Sequence, residues 1–207
     1  MKEIRLTRGM VALVDDEDYD WLTEYNWCAS GNKEGSPDAG REKRLRQKFV
    51  ALTNLKVKIE NGMTAYMPIT MHRMLMKAKP NQLVDHIDGN PLNNQKNNLR
   101  FATNQQNSWN ARGAKSFMGK PTSSRFKGVY RKTCKTKHGD YVYYVGRIGV
   151  NGKDITVYHG KDEVAAACHY DYAAQNYFGE YARLNFDGAA YDKWYNDKHG
   201  ATECVPD

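Results

Sequence analysis

The first 80 residues alternate short apolar and charged runs. "EIRLTRGMVALV" and "RQKFVALTNLKVKIENGMTAYMPITMHRML" carry Val, Ile, Thr and Tyr at alternate positions, which predicts short strands. "ENGM" supplies the turn of a hairpin. Between these runs, "DDEDYDWLTEYNW" predicts a short helix whose acids sit in the first turn, where the helix dipole favours them. "SGNKEGSPDAGREKR" has the composition of a surface loop. Farther along, "QLVDHI" and "NLRFAT" predict two short strands flanking "DGNPLNN", a run dense in turn residues. Thr103 and Gln106 then have capping-box spacing and open a helix through "NQQNSWNA".

After a stretch rich in Gly, Ser and Lys, "RGAKSFMGKPTSS", the rhythm resumes. "RFKGVYRK", "YVYYVGRIGV" and "DITVYH" read as three strands, the last two joined by an Asn-Gly turn. "GKDEVAAACHYDYAAQNYFGEYARLNF" reads as a helix that starts on acids and stops at Gly179. Ala165, Ala166, Ala167, Ala173 and Ala174 leave room for that helix to lie close on the sheet. The fold class expected is α+β: a small mixed N-terminal domain, then a three-stranded antiparallel sheet packed on one helix.

Length and composition bound this picture. A chain of 207 residues fits one large or two small domains, and 40% hydrophobic residues imply modest cores. No apolar run approaches a membrane span, and the charged N-terminus is unlike a signal peptide, so a cytoplasmic protein with no membrane partner is expected. Cys28, Cys134, Cys168 and Cys204 form no CxxC pair, which signals neither a zinc ribbon nor a disulfide framework. The net charge of +7 is unevenly spread: Arg112 to Gly139 holds nine Lys or Arg and no acid, whereas acids prevail from Asp187 onward. Such a basic block suits a nucleic-acid partner.

The chemistry concentrates in "VDHIDGNPLNNQKNNLRFAT", residues 84–103. A turn alone could use its Asp and Asn residues to satisfy backbone donors. A nuclease could use the same residues differently. It needs a hard cation to stabilise the leaving oxygen and a base to activate water, and Mg²⁺ can be held by one carboxylate and one amide oxygen, keeping several waters. Imidazole suits the base near neutral pH. Asp85 and Asn107 could hold the ion, with His86 as base.

"VDHIDGNPLNNQKNNLRFATNQQN" resembles the HNH motif of ββα-metal endonucleases, in the version found among phage and intron-encoded homing enzymes. The likeness covers about residues 69–110 and includes "MHRML" upstream. It implies Asp85 and Asn107 as ligands of Mg²⁺ or Mn²⁺, His86 as general base, and Asn98 as the residue holding the loop and orienting the histidine. Asn110, one helical turn on, is the alternative ligand. His72 and Arg73, in the upstream segment, are expected to contact DNA.

"SSRFKGVYRK…YYVGRI…YHGKDEVAAACHYDYAAQNYFGEYARLNF" resembles an APETALA/ethylene-response-factor DNA-binding domain, a family that lays its sheet in the major groove. By position, Lys127, Tyr130 and Lys132 on the first strand and Tyr158 on the third match contact sites of that family. Period-two alternation sends Tyr144, Gly146 and Ile148 toward the helix and leaves Tyr143, Val145 and Arg147 on the groove face. The expected organisation is an HNH endonuclease domain over 1–111, a basic linker over 112–122, a DNA-binding domain over 123–186 and a tail over 187–207. The partner is double-stranded DNA, whether as monomer or dimer. A DNA-binding regulator that keeps the HNH fold without catalysis, and a nuclease acting on RNA, are the rival readings.

Overall fold

The computed structural model describes residues 1–31, 49–58, 63–113, 116–117, 120–137, 139–187, 194 and 197. The loop expected at "SGNKEGSPDAGREKR", the "ENGM" turn, parts of the basic linker, most of the tail and Cys204 lie wholly or largely outside these residues. The chain divides into two compact units, Met1–Ser108 and Trp109–Asp207. Both mix small antiparallel sheets with helices, the α+β class the patterns predict. Among the described residues no helix is long and apolar enough to cross a membrane.

In the first unit, β1 (Lys2–Arg5) pairs with β2 (Val11–Val14), and α1 (Asp16–Leu22) follows with Asp16, Glu17 and Asp18 in its first turn. Strands β3 (Cys28–Ser30), β4 (Val50–Lys58) and β5 (Thr64–Thr70) form a second sheet, and α2 (Met71–Leu75) continues directly from β5. Next come β6 (Leu83–His86), a 12-residue loop closed by a 3-10 turn at Lys96–Asn98, β7 (Leu99–Ala102) and α3 (Asn104–Asn110). One core joins β1, β2, α1, α2, β6 and β7: Ile4, Val14, Leu22, Trp27, Met71, Leu75, Val84 and Leu99 are buried together. Val84 and Leu99 tie β6 and β7 into that core, so the strands bearing Asp85 and His86 have a rigid backing.

In the second unit, two short strands, β8 (Ser116–Phe117) and β9 (Lys120–Pro121), precede the main sheet. The sheet has the order β10 (Val129–Thr136), β11 (Gly139–Val150), β12 (Lys153–Gly160), and α4 (Glu163–Phe178) packs on it. Asn151 and Gly152 both take positive φ, 50° and 76°, as the two-residue turn between β11 and β12 requires. Asp162 caps α4 by accepting from the amides of Val164 and Ala165, and Gly179 ends it with φ 53°. The five small residues of α4 are all buried. Gly128 marks the closest approach: a Cβ there would lie 2.0 Å from the Tyr170 ring. Among the described residues, Cys28, Cys134 and Cys168 form no disulfide.

Candidate functional site

The loop between β6 and β7 explains why it is so rich in asparagine. Asp88 accepts from the Asn90 amide at 2.7 Å and Asn90 accepts from the Leu92 amide at 3.2 Å, two successive Asx turns. Asn98 reaches back across the loop. Its side-chain oxygen accepts from Asp88 N, and its Nδ2 donates to Asp88 Oδ1 and to the Asn93 carbonyl. Asn93 Nδ2 donates to Asp88 Oδ2 at 2.8 Å. The loop therefore supplies its own hydrogen-bond partners and needs no large core of its own. Burial would raise the Asp88 pKa, but the Asn90 amide and the Asn93 and Asn98 side chains outweigh it and hold the carboxyl below the usual range.

The N-terminal segment braces the loop from outside. Leu13 donates to the Leu92 carbonyl and accepts from the Asn94 amide, both at 2.8 Å. Asp15 accepts from Lys96 N and Gln95 Nε2, and Lys96 Nζ meets Glu17 at 2.7 Å and Asp18 at 2.8 Å. The acidic run "DDED" is thus in part a clamp on the turn that carries Asn98. Nothing in its local pattern pointed to a partner eighty residues away.

Asp85 and His86 are neighbours on one strand, so their side chains leave on opposite faces. Asp85 is 7% exposed and pairs across the strands with Arg100, whose Nε and Nη2 donate to its Oδ2 at 3.2 and 3.1 Å. His86, also buried, lies 3.5 Å through Nε2 from Asn94 Oδ1 and meets the His72 ring edge-on, with centroids 4.9 Å apart. Asn94 is 1% exposed and its Nδ2 has no hydrogen-bond partner. An unpaired buried amide costs about 1–3 kcal/mol, so its retention here calls for a reason. Arg100 and Asn94 were not singled out in the sequence. Arg100 could have been found as the register partner of Asp85, whereas Asn94 looks like any other asparagine of the run.

Two upstream residues have partners within the fold. Arg73 donates to the carbonyls of Ala78, Lys79 and Gln82 and so closes the turn after α2. His72 lies against His86; burial first, then the nearby His86 and Arg73, push its pKa down to about 4. It is a neutral ring at ordinary pH. Asn107 is exposed on α3, which opens on the expected reciprocal cap between Thr103 and Gln106, and Asn110 is buried. Among the described residues no group of three His, Cys, Asp or Glu side chains is placed to hold a metal. Asp85 and Asn107 carry oxygen donors of the kind a hard divalent ion takes; Asp85 Oδ2 is engaged by Arg100, and Asn107 stands exposed on α3.

In the second unit, pairing puts Tyr130 opposite Val145, Lys132 opposite Tyr143, and His159 opposite Val145 on the other side. These residues share one face of the sheet. Tyr130 is half exposed, the Tyr143 and His159 rings meet tilted at 40° with centroids 4.5 Å apart, and Arg147 meets Asp154 at 3.5 Å. Val145, expected on the open face for contact, is buried by its neighbours at 4% exposure.

Two other expected contact residues lie elsewhere. Tyr158 pairs with Gly146 and packs toward α4, its ring stacked on His169 and its hydroxyl accepting from Asp162 N. Period two from His159 dictates that placement. Lys127 precedes β10 instead of lying on it: its Nζ donates to the Trp109 carbonyl, and burial, with Arg183 nearby and Asp171 opposing, pushes its pKa down to about 8.

Residues 77–109 match the family model described as HNH endonuclease. The chain is 40% identical over 102 residues to an uncharacterized HNH endonuclease of Acanthamoeba polyphaga mimivirus, covering 49% of this chain and 46% of that protein. It is 58% identical over 33 residues to Protein 3.8 of Escherichia phage T7, covering 16% of this chain and 27% of that protein. The chain therefore spans less than half the length of either relative. No solved structure matches. Together the family match and the viral relative support a nuclease at the level of the family.

Proposed function

We propose that the chain is a DNA endonuclease of the ββα-metal HNH type, hydrolysing phosphodiester bonds of double-stranded DNA in a homing-like, site-selective manner. The observation that carries this reading is the β6–loop–β7–α3 arrangement within the family-matched region, with Asp85 and His86 buried on the rigid strand that enters the loop. His86 takes a proton from the attacking water, and the P–O3′ bond breaks to leave 5′-phosphate and 3′-hydroxyl ends. Asp88, held ionised beside His86, stabilises the imidazolium that results. Asn98 keeps the loop closed around both. Asp85 and Asn107 would hold Mg²⁺ or Mn²⁺, which when bound supplies charge stabilisation at the leaving oxygen.

The second unit serves as the anchor. Tyr130, Lys132, Tyr143, Arg147 and His159 present an aromatic and basic face, in keeping with the likeness to APETALA/ethylene-response-factor domains, and that face lies in the DNA major groove. Linking it to the nuclease raises the local concentration of target. Purified protein incubated with supercoiled plasmid and Mg²⁺ tests the reading. Nicked or linear product that vanishes with EDTA and in His86→Ala is the expected result, and DNA binding without any cleavage favours a non-catalytic regulator instead.

A further inference from the structure

We propose that Asn94 is the positioning residue of His86, a task the HNH likeness assigns to Asn98. Asn98 spends its side chain on Asp88 and Asn93: its oxygen takes the Asp88 amide, and its nitrogen serves Asp88 Oδ1 and the Asn93 carbonyl. Asn94 reaches the imidazole, with Oδ1 3.5 Å from Nε2. Asn94 is nearly inaccessible, and its backbone amide is fixed to the Leu13 carbonyl at 2.8 Å, so the amide group cannot swing away to water.

The direction of this contact matters chemically. With Oδ1 facing the ring, Nε2 carries the hydrogen and donates it, which leaves Nδ1 with the lone pair. With the amide reversed, Nδ2 would donate to Nε2, the hydrogen would sit on Nδ1, and Nε2 would be occupied. Only the first arrangement puts the lone pair on Nδ1, the nitrogen that would then take a proton from water. It also accounts for the unpartnered Nδ2: the amide is held by burial in the one orientation that serves the ring, at the expense of its own second half. The neutral His72 ring, edge-on at 76°, limits rotation of His86 from another side.

The role in catalysis rests on the proposed nuclease function; the hydrogen bond does not. Histidine ¹⁵N chemical shifts of the full chain, recorded where the ring is neutral, read the tautomer directly. The Nε2–H form in the native protein is the expected result, and Nδ1–H overturns the proposal. Asn94→Leu should mix the two forms and lower kcat about 10- to 100-fold with little change in KM for DNA, as loss of a group orienting the base implies. Asn94→Asp, which keeps the acceptor, should restore the Nε2–H form. A fall in kcat with the tautomer unchanged in Asn94→Leu means a merely structural role and overturns the proposal. If Asn94→Leu fails to fold, the native tautomer and Asn94→Asp still decide it. A chain that shows Nε2–H but cuts nothing keeps the hydrogen bond and removes the nuclease reading.

Discussion

The two units use polar residues in opposite ways. Between β6 and β7, Asp85, His86, Asn94 and Asn98 are all under 9% exposed, and each faces another polar group of its own unit. On the β10–β11–β12 sheet, Tyr130, Lys132, Tyr143 and Arg147 stand on the face opposite α4. Buried and mutually bonded groups are preorganised, at a cost in desolvation, and that suits chemistry on a single atom. Groups that reach the surface of a stiff sheet stay accessible to a partner, and that suits recognition. The same residue types appear in both places, so burial and pairing separate the two tasks.

The sharpest way to break this contrast is to disturb the buried pair. Asp85→Ala leaves the Arg100 guanidinium, itself only 11% exposed, without its carboxylate. Stability of the first unit should fall by about 3–5 kcal/mol, read by urea unfolding. Adding Arg100→Leu should recover most of that stability but no cleavage, which separates the fold from the chemistry. His86→Ala is the milder structural change with the larger chemical one. Its cleavage rate should drop roughly 10²–10⁴-fold while DNA affinity stays near native.

A pH titration sharpens the same comparison. Burial, then the neighbouring His86 and Arg73, hold the His72 pKa down to about 4 in the folded chain, against 6.5 for an unburied imidazole, so folding favours its neutral form. Its contribution is fully present above 6.5 and is lost as pH falls toward about 4. The loss is on the order of 3 kcal/mol for the first unit, and His72→Gln should flatten the slope between those pH values. The exposed face of the second unit should show no such dependence from this source.

Effects on the sheet are smaller. Arg147→Ala should relax sequence preference by about 1–3 kcal/mol if its guanidinium reads a base bidentately. Lys132→Ala should weaken all sequences alike and lower the salt slope by about one, as expected for a phosphate contact. Competition binding at several salt concentrations measures both.

The elements were largely legible in the sequence, because each carries its own local signal. Thr103 with Gln106, Asn151 with Gly152, and Gly179 all do in the structure what their residue types demand. Side-chain placement was less legible, because it depends on register and on distant partners. Lys127 misses β10 by two residues, and Tyr158 falls one residue from His159 and so onto the opposite face. The pairing shift at Gly146/Arg147 is likewise invisible to a period-two count. Within the site, Asp85 and His86 stand out as a pair, but nothing short of the fold distinguishes Asn94 from Asn93 or shows that Asp15 grips Lys96.

The central claim is that chemistry resides in the buried strand–loop–strand module and recognition on the open sheet. Single-turnover cleavage and equilibrium binding, measured together on one DNA target for native protein, His86→Ala and Arg147→Ala, test it most directly. His86→Ala should bind with native preference but not cut. Arg147→Ala should still cut, at a similar rate once bound, while losing discrimination between sites. Loss of site preference in His86→Ala, or unchanged preference in Arg147→Ala together with loss of cutting, would contradict it.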